Sequence, residues 1–282
     1  MIGWLRKRDL QKEKNESRAE KRTPMFKQEE ADSLLEHIKT RYGLDYTKQK
    51  SVTYRKIERF ALSHDLFTYD ELARGIQSDN RLETELINLL TVCETYFFRE
   101  KDQIDHAAAL IHTGKIGSIL CAPCSSGEEV YSLLLATRER GEIPKHLKIT
   151  GIDINTNALE AAVLGNYSSR SISSVPKNLL ENFFEQKGTR YIIEPRFKDH
   201  TFFKRQNIFD ASIFDFGKFD AIFSRNMMIY FTDEEKRKAL EILRKLLKPE
   251  GLLFVGHADI TFQPQGYRKI YKNRTVFYQL QE

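Results

Sequence analysis

Long hydrophobic runs are missing from this 282-residue chain. No apolar stretch approaches the ~20 residues that a bilayer-spanning helix needs, so a membrane-spanning protein is excluded. The N-terminus offers only Ile2-Gly3-Trp4-Leu5 before charges begin, too short for the core of a secretory signal. Cysteine is scarce. Cys93, Cys121 and Cys124 are odd in number and too few for a disulfide scaffold, which points to a reducing cytoplasm. A large excess of one charge is also absent: 45 Lys and Arg stand against 40 Asp and Glu, a net charge of +5. That balance does not by itself imply nucleic acid, although clustered cations favour an anionic partner. There is no internal repeat, no GxxxxGK[ST] phosphate loop and no paired histidine for zinc.

What is present is globular chemistry, with 40% hydrophobic and 30% charged residues. Residues 1–24 form a charged arm, read as a solvated or frayed helix or as a basic arm for an acidic partner. Phe26, Leu34, Leu35, Ile38 and Tyr42 then recur at helical spacing, and Gly43 supplies a stop. From Lys48 to Leu62 a second helix is expected to turn Val52, Ile57, Phe60 and Ala61 inward. Arg55 and Arg59 would share its outer side with Lys48. Thr68 and Glu71 form a capping-box pair before a third helix, and Leu82, Leu86, Leu89 and Leu90 mark a fourth. Residues 25–98 therefore read as a small helical bundle.

Beyond residue 115 the pattern alternates strand and helix. Strands are expected at Ile116–Ala122, Leu147–Ile154, Phe219–Phe223 and Leu252–Gly256. Helices are expected at Glu128–Arg140, Asn157–Leu164 and Glu234–Leu247, the last closed by Pro249-Glu250-Gly251. Tyr267–Ile270 and Thr275–Leu280 read as a hairpin. Such alternation argues for an α/β fold with a largely parallel sheet covered by helices. Residues 168–205 interrupt it, as a small inserted subdomain would.

Ligands of open α/β sheets bind beyond the C-terminal strand ends. Three such loops are informative. Ala122–Glu129 combines small residues and Gly127 with two carboxylates, which suit a cationic or ribose-bearing ligand better than a phosphate. Asp153 ends the second strand, well placed for ribose hydroxyls. Ser224–Phe231 is a polar and aromatic strand end.

These loops resemble those of the CheR family of chemotaxis-receptor methyltransferases. Thr95-Tyr96-Phe97-Phe98-Arg99-Glu100 is similar to its T-x-F-F-R-[DE] signature, and Cys124–Ser132 to its C-S-T-G-E-E-P-Y-S loop. Phe219–Asn226 with Ile229-Tyr230-Phe231 is similar to F-D-x-I-x-C-R-N-x-x-I-Y-F. Leu247–His257 is similar to L-x-P-x-G-x-L-x-x-G-H. The four motifs occur in order, and the resemblance covers about residues 26–280.

It implies a Rossmann-like class I methyltransferase domain over residues 99–282, with residues 168–205 as an inserted β-subdomain and residues 25–98 as an all-α N-terminal domain. It implies S-adenosylmethionine as cofactor, S-adenosylhomocysteine as product and no metal. Thr95, Arg99, Glu129, Asp153, Asn207, Ile208, Ser224 and Arg225 would line the cofactor site, and Arg99 and Tyr230 would sit near the transferring methyl. The activity implied is γ-carboxyl methyl esterification of glutamates on the cytoplasmic domains of methyl-accepting chemoreceptors. It would be carried out by a cytoplasmic monomer visiting receptor arrays, with no nucleic acid involved. Lys48, Arg55 and Arg59 could dock a Glu-rich receptor helix. The chain departs from the pattern at Cys93 (often Asn), Val130 (Pro), Asn155 (the second Asp of D-x-D) and Ala258-Asp259 (Ser-Glu).

Rival readings are a cofactor-binding signalling module without catalysis and a methyltransferase acting on another protein or RNA. A base methyltransferase usually carries an N/D-P-P-Y/F-type loop where this chain has Ser224-Arg225-Asn226. Cys121-Ala122-Pro123-Cys124 also has redox spacing. His257 is expected to be a partly buried, hydrogen-bonded residue, and Met227-Met228 and Phe97-Phe98 to be packing residues.

Overall fold

The computed structural model describes residues 22–272 and 274–281. The expected charged arm lies outside the described residues apart from Arg22, Thr23 and Pro24. Four helices follow: α1 (Gln28–Tyr42), α2 (Lys50–Ser63), α3 (Tyr69–Ser78) and α4 (Asn80–Leu90).

Helix α1 stops at Gly43, whose φ is 74° and whose N–H donates to the Lys39 carbonyl. A Cβ at Gly43 would meet the Phe209 ring at 2.7 Å, so both the turn and the packing require glycine. Helix α2 buries Thr53, Ile57, Phe60 and Ala61. Val52 is 48% exposed, contrary to expectation. The inward stripe runs through positions 53, 57, 60 and 61, and residue 52 is rotated ~100° from it. Thr53 can take the buried place because its hydroxyl donates to the Gln49 carbonyl at 3.0 Å. Thr68 caps α3 by accepting from Glu71 N at 3.0 Å, while the Glu71 carboxylate reaches back to Phe67 N at 2.7 Å. In α4 the buried face carries Leu86, Ile87 and Leu90, and Leu89 is 40% exposed.

The remainder comprises α5 (Lys101–His112), β1 (Ser118–Cys121), α6 (Glu128–Arg140), β2 (Lys148–Asp153), α7 (Thr156–Leu164), β3 (Asn166–Ser168) and α8 (Lys177–Phe183). It continues with β4 (Phe184–Lys187), β5 (Arg190–Ile193), β6 (Thr201–Arg205), β7 (Phe219–Ser224), α9 (Asp233–Leu246), β8 (Leu247–Val255), β9 (Tyr267–Lys272) and β10 (Thr275–Leu280). The main sheet has seven strands in the order β6-β2-β1-β7-β8-β10-β9. Strands β6 to β8 run parallel, and the β9–β10 hairpin closes the edge antiparallel. The chain order reverses between β1 and β7, and a ligand crevice is expected at that junction.

Two strand expectations are corrected. Thr201–Arg205 belongs to the main sheet, pairing with β2 from Ile149↔Thr201 to Asp153↔Arg205. The separate small sheet is β3-β5-β4, so the interruption over 168–205 is not one inserted unit. As an edge strand β6 leaves Phe202 55% exposed, which blurs its alternation. Strand β8 begins at Leu247, and Pro249-Glu250-Gly251 lies within it. The partner β7 absorbs the extra residues by a register shift, from Phe219↔Leu247 to Ala221↔Leu252.

Successive strand residues point to opposite faces. Leu120, Ile222 and Leu253 join one core that continues into Leu34, Ile57 and Leu86 of the helical region. Ile119, Phe223 and Phe254 join the core on the other face with Ile104, Leu134 and Phe277. The helical region thus completes the core on one side of the sheet.

Candidate active site

A cavity of about 290 Å³ opens beyond the C-terminal ends of β1, β2 and β7, where they face α2 and the segment after α4. Its floor is built from the loop after β1. Gly127, at φ 89°, starts α6, and a Cβ there would meet Ala162 at 2.9 Å. Ser125 N donates to Asp153 Oδ2 at 2.8 Å, and Asn155 N to Asp153 Oδ1 at 2.8 Å. Asp153 therefore joins two loops while lining the cavity. Burial pushes its carboxyl up, and the backbone N–H groups of Asn155, Ser125 and Ile154 oppose that.

The two glutamates at the start of α6 have different tasks. Glu128 is buried and accepts from the Ser126 and Ser171 hydroxyls, each at 2.7 Å, tying the loop to the chain after β3. Glu129 lines the cavity beside Arg225, with Oε2 at 3.2 Å from Arg225 Nη1. Burial pushes Glu129 up, and the Arg225 charge pulls it back. The Arg225 side chain is 2% exposed. Its Nη2 donates to the Arg99 carbonyl at 2.5 Å, and Glu100 stands 3.8 Å from its Nε. Arg225 Nε and Nη1 and Glu129 Oε1 are buried without hydrogen-bond partners. A buried cation and anion with unspent donors and acceptor are costly unless a polar ligand satisfies them.

Thr95, Arg99, Asn207, Ile208 and Tyr230 all line the same cavity. Arg99 Nη1 donates to the Glu94 carbonyl at 2.9 Å, and its guanidinium lies 5.8 Å from the Tyr96 ring centroid. Tyr230 closes a short helical turn, Met228–Tyr230, and burial pushes its phenol up. The Asn207 amide is already committed, donating to the Arg41 carbonyl at 2.7 Å and accepting from Phe209 N at 3.0 Å. Ser224 is fully buried and lies outside the cavity's lining. It ends β7 behind the wall, because side chains alternate and Arg225 takes the cavity side.

Of the expected docking residues, Lys48 lines the cavity, whereas Arg55 and Arg59 are exposed on α2 away from it. Lys56 was not singled out from the sequence but lines the wall with Gln49, Val52 and Thr53. Positions 49, 52 and 56 form one helical stripe beside the buried one, a spacing visible in the sequence. Asp259 was noted only as a departure. It is fully buried and accepts from Asn226 N at 2.6 Å, Gly256 N at 2.7 Å and Ile229 N at 3.2 Å, which anchors the loop carrying Arg225 and Tyr230. Asn155 caps α7 through Ala158 N at 2.9 Å and donates to Asn88 O and Thr91 Oγ1 at 3.1 and 2.7 Å. It joins the helical region to the sheet.

Cys121 and Cys124 are buried, and burial pushes both thiols well up, the reverse of what a redox pair needs. His257 is 82% exposed on its side chain, 3.2 Å from Glu100, rather than partly buried. Phe97, Phe98 and Met228 are buried packing residues, and Met227 lines the cavity.

The family model "CheR methyltransferase, SAM binding domain" matches residues 93–277. The chain is similar to a chemotaxis protein methyltransferase of Campylobacter jejuni, 34% identical over 255 residues, covering 89% of this chain and 95% of that protein. It is similar to one from Listeria monocytogenes, 30% identical over 238 residues, 82% of this chain and 89% of that protein. It is also similar to a probable biofilm formation methyltransferase of Pseudomonas aeruginosa, 27% identical over 237 residues, 81% of this chain and 56% of that protein.

Proposed function

Because the chain belongs to the CheR methyltransferase family, we propose that it methylates glutamate side chains on the cytoplasmic domains of chemoreceptors. The observation that carries this reading is the buried Arg225–Glu129 pair with unspent donors and acceptor at the β1/β7 junction. A zwitterionic amino-acid group, such as the methionine end of S-adenosylmethionine, offers an acceptor and donors that could engage those unspent atoms. Asp153 would hold the ribose, with Thr95, Asn207 and Ile208 completing the wall and Ser224 supporting it from behind.

S-adenosylmethionine supplies an activated methyl group on a sulfonium that leaves readily. The acceptor carboxylate, with a pKa near ~4.3, is already ionised at pH 7, so no general base is required. The bound cofactor would supply its methyl group to the acceptor carboxylate oxygen, leaving as S-adenosylhomocysteine. The protein's task is alignment and exclusion of water. Arg99 orients the incoming carboxylate, and Tyr230 shapes the approach. Lys48 and Lys56 at the wall, with Arg55 and Arg59 further along α2, attract an acidic receptor helix. No helix among the described residues is long and apolar enough to cross a membrane. The reading is of a cytoplasmic monomer that visits receptor arrays.

The test is incubation with methyl-labelled S-adenosylmethionine and receptor-containing membranes, followed by mild base. Base-labile label on a receptor is expected. Base-stable label, or label on RNA, would overturn the substrate. Cofactor binding with no label on any receptor would favour a signalling module without catalysis.

A further inference from the structure

Glu83 lies in the first turn of α4 and is 6% exposed. A carboxylate favours a helix's first turn without having to leave water. Burying one is costly unless it is paired and hydrogen-bonded. Its partners lie at the end of α1. Tyr42 Oη donates to Glu83 Oε1 at 2.9 Å, and Arg41 Nε stands 3.0 Å from the same oxygen. Glu83 itself is outside the cavity's lining.

Residues 41–46 form a corner between α1 and α2 that meets two walls of the cavity. The Arg41 carbonyl accepts from Asn207 Nδ2 at 2.7 Å, and Asn207 Oδ1 accepts from Phe209 N at 3.0 Å. The corner therefore holds the stretch that brings Gln206, Asn207 and Ile208 to the cavity. Gly43 is wedged between two rings, and a Cβ there would meet Phe209 at 2.7 Å and Phe231 at 3.0 Å. On the other wall, Asp45 N donates to the Tyr230 carbonyl at 2.8 Å. That end of the corner has a separate tie to α4, because Tyr46 Oη donates to the Leu90 carbonyl at 3.0 Å.

We propose that Glu83 is a positioning residue for the cofactor. By holding Arg41 and Tyr42 it fixes the carbonyl that orients Asn207, and with it the wall from Gln206 to Ile208. The inference rests on reading the cavity as the cofactor site. Because Tyr46 secures the Asp45–Tyr230 side independently, loss of Glu83 loosens the Asn207 side more. The signature is weaker cofactor binding with methyl transfer at saturating cofactor little changed. A carboxylate that only stabilised the helical region would lower stability and leave the affinity of the folded protein as it was.

The experiment uses the full chain, at a temperature where urea titration shows each variant folded. S-adenosylhomocysteine affinity is read by calorimetry. Glu83→Ala is expected to bind it about tenfold or more weakly and to raise the KM for S-adenosylmethionine in step, with kcat within about threefold. Glu83→Gln keeps an acceptor for the Tyr42 hydroxyl and should recover affinity to within about threefold of wild type. In an Asn207→Ala background, Glu83→Ala should add less than about twofold, because the route through Asn207 is already cut. If Glu83→Ala does not fold, the cycle is run with Tyr42→Phe, which keeps the ring and removes the hydroxyl's hold on Glu83. A loss of about threefold or more that vanishes beside Asn207→Ala is then expected. Unchanged affinity in the folded variant, or a loss that adds in full to that of Asn207→Ala, overturns the proposal. A wild-type protein that binds no S-adenosylhomocysteine overturns the cofactor reading itself, and that failure appears before any variant is made.

Discussion

A guanidinium that is 2% exposed must be compensated, and Arg225 is compensated by Glu129, Glu100 and one backbone carbonyl. Removing it strands Glu129 in a site where burial already pushes the carboxyl up. Arg225→Met is expected to cost about 3–5 kcal/mol of stability and to abolish S-adenosylhomocysteine binding, read by urea denaturation and calorimetry. Arg99 has no such burial debt, and Arg99→Ala should leave stability within about 0.5 kcal/mol. Its methyl-transfer rate should fall by about 10²-fold or more, as when a donor aimed at a reacting group is lost. Normal turnover would remove Arg99 from the reaction. Asp220 gives a pH prediction. Burial alone would raise its carboxyl, but Lys248 at 2.8 Å and the N–H groups of Gly117 and Ser118 outweigh it and hold it below its ordinary 3.8. A depressed folded value contributes stability above about pH 4, which is lost as pH falls through the folded value. Asp220→Asn should therefore cost about 1–3 kcal/mol at pH 7, with the deficit shrinking below about pH 4 in urea titrations.

Elements carry these side chains, and two buried polar residues decide how firmly. Asp259 holds the Ser224–Phe231 loop by the backbone N–H groups of Asn226 and Ile229, and its own turn by that of Gly256. An asparagine has one acceptor oxygen and would turn its amide N–H toward a backbone donor. Asp259→Asn is expected to lower kcat about tenfold or more, because Tyr230 and Arg225 sit on that loop. S-adenosylhomocysteine affinity should fall less, and a loss confined to stability would reject the positioning role. Helix ends such as Gly43 and the Thr68–Glu71 pair were readable because their signals are local, and the structure adds Asp79 and Thr232 as caps of α4 and α9. Strands β6 and β8 were misread for a physical reason. An edge strand need not alternate cleanly, and a β7–β8 register shift lets Pro249-Glu250-Gly251 remain inside a strand. The inward placement of Val52 failed likewise, since an apolar residue beside the buried stripe can line a cavity or face solvent.

The helical region and one sheet face share a continuous apolar core, and polar ties at Asn155–Asn88, Asn155–Thr91 and Asn207–Arg41 cross the same boundary. The cavity is therefore assembled only when both parts fold together. Its basic approach should act at a distance. Arg55→Glu combined with Arg59→Glu is expected to raise the KM for receptor by about tenfold or more while leaving S-adenosylhomocysteine affinity within about twofold. The wild-type KM should also climb with salt, since the screening length is only about 8 Å at physiological ionic strength. A receptor KM insensitive to both changes would remove α2 from docking.

Sequence alone determined the four N-terminal helices, the alternation of β1, β2, β7 and β8 with the helices between them, the three loops at the strand ends and the family to which their motifs point. Each of these is encoded within a few neighbouring residues, by periodicity, caps and short motifs. Tertiary structure decided the rest. It separated Glu129, which faces the cavity, from Glu128, which braces the loop, and it put Ser224 behind the wall that Arg225 lines. It brought Lys56 and Cys93 to that wall and made Asp259 an anchor. Those roles depend on which side chains meet across long stretches of chain, and local pattern carries no record of such meetings.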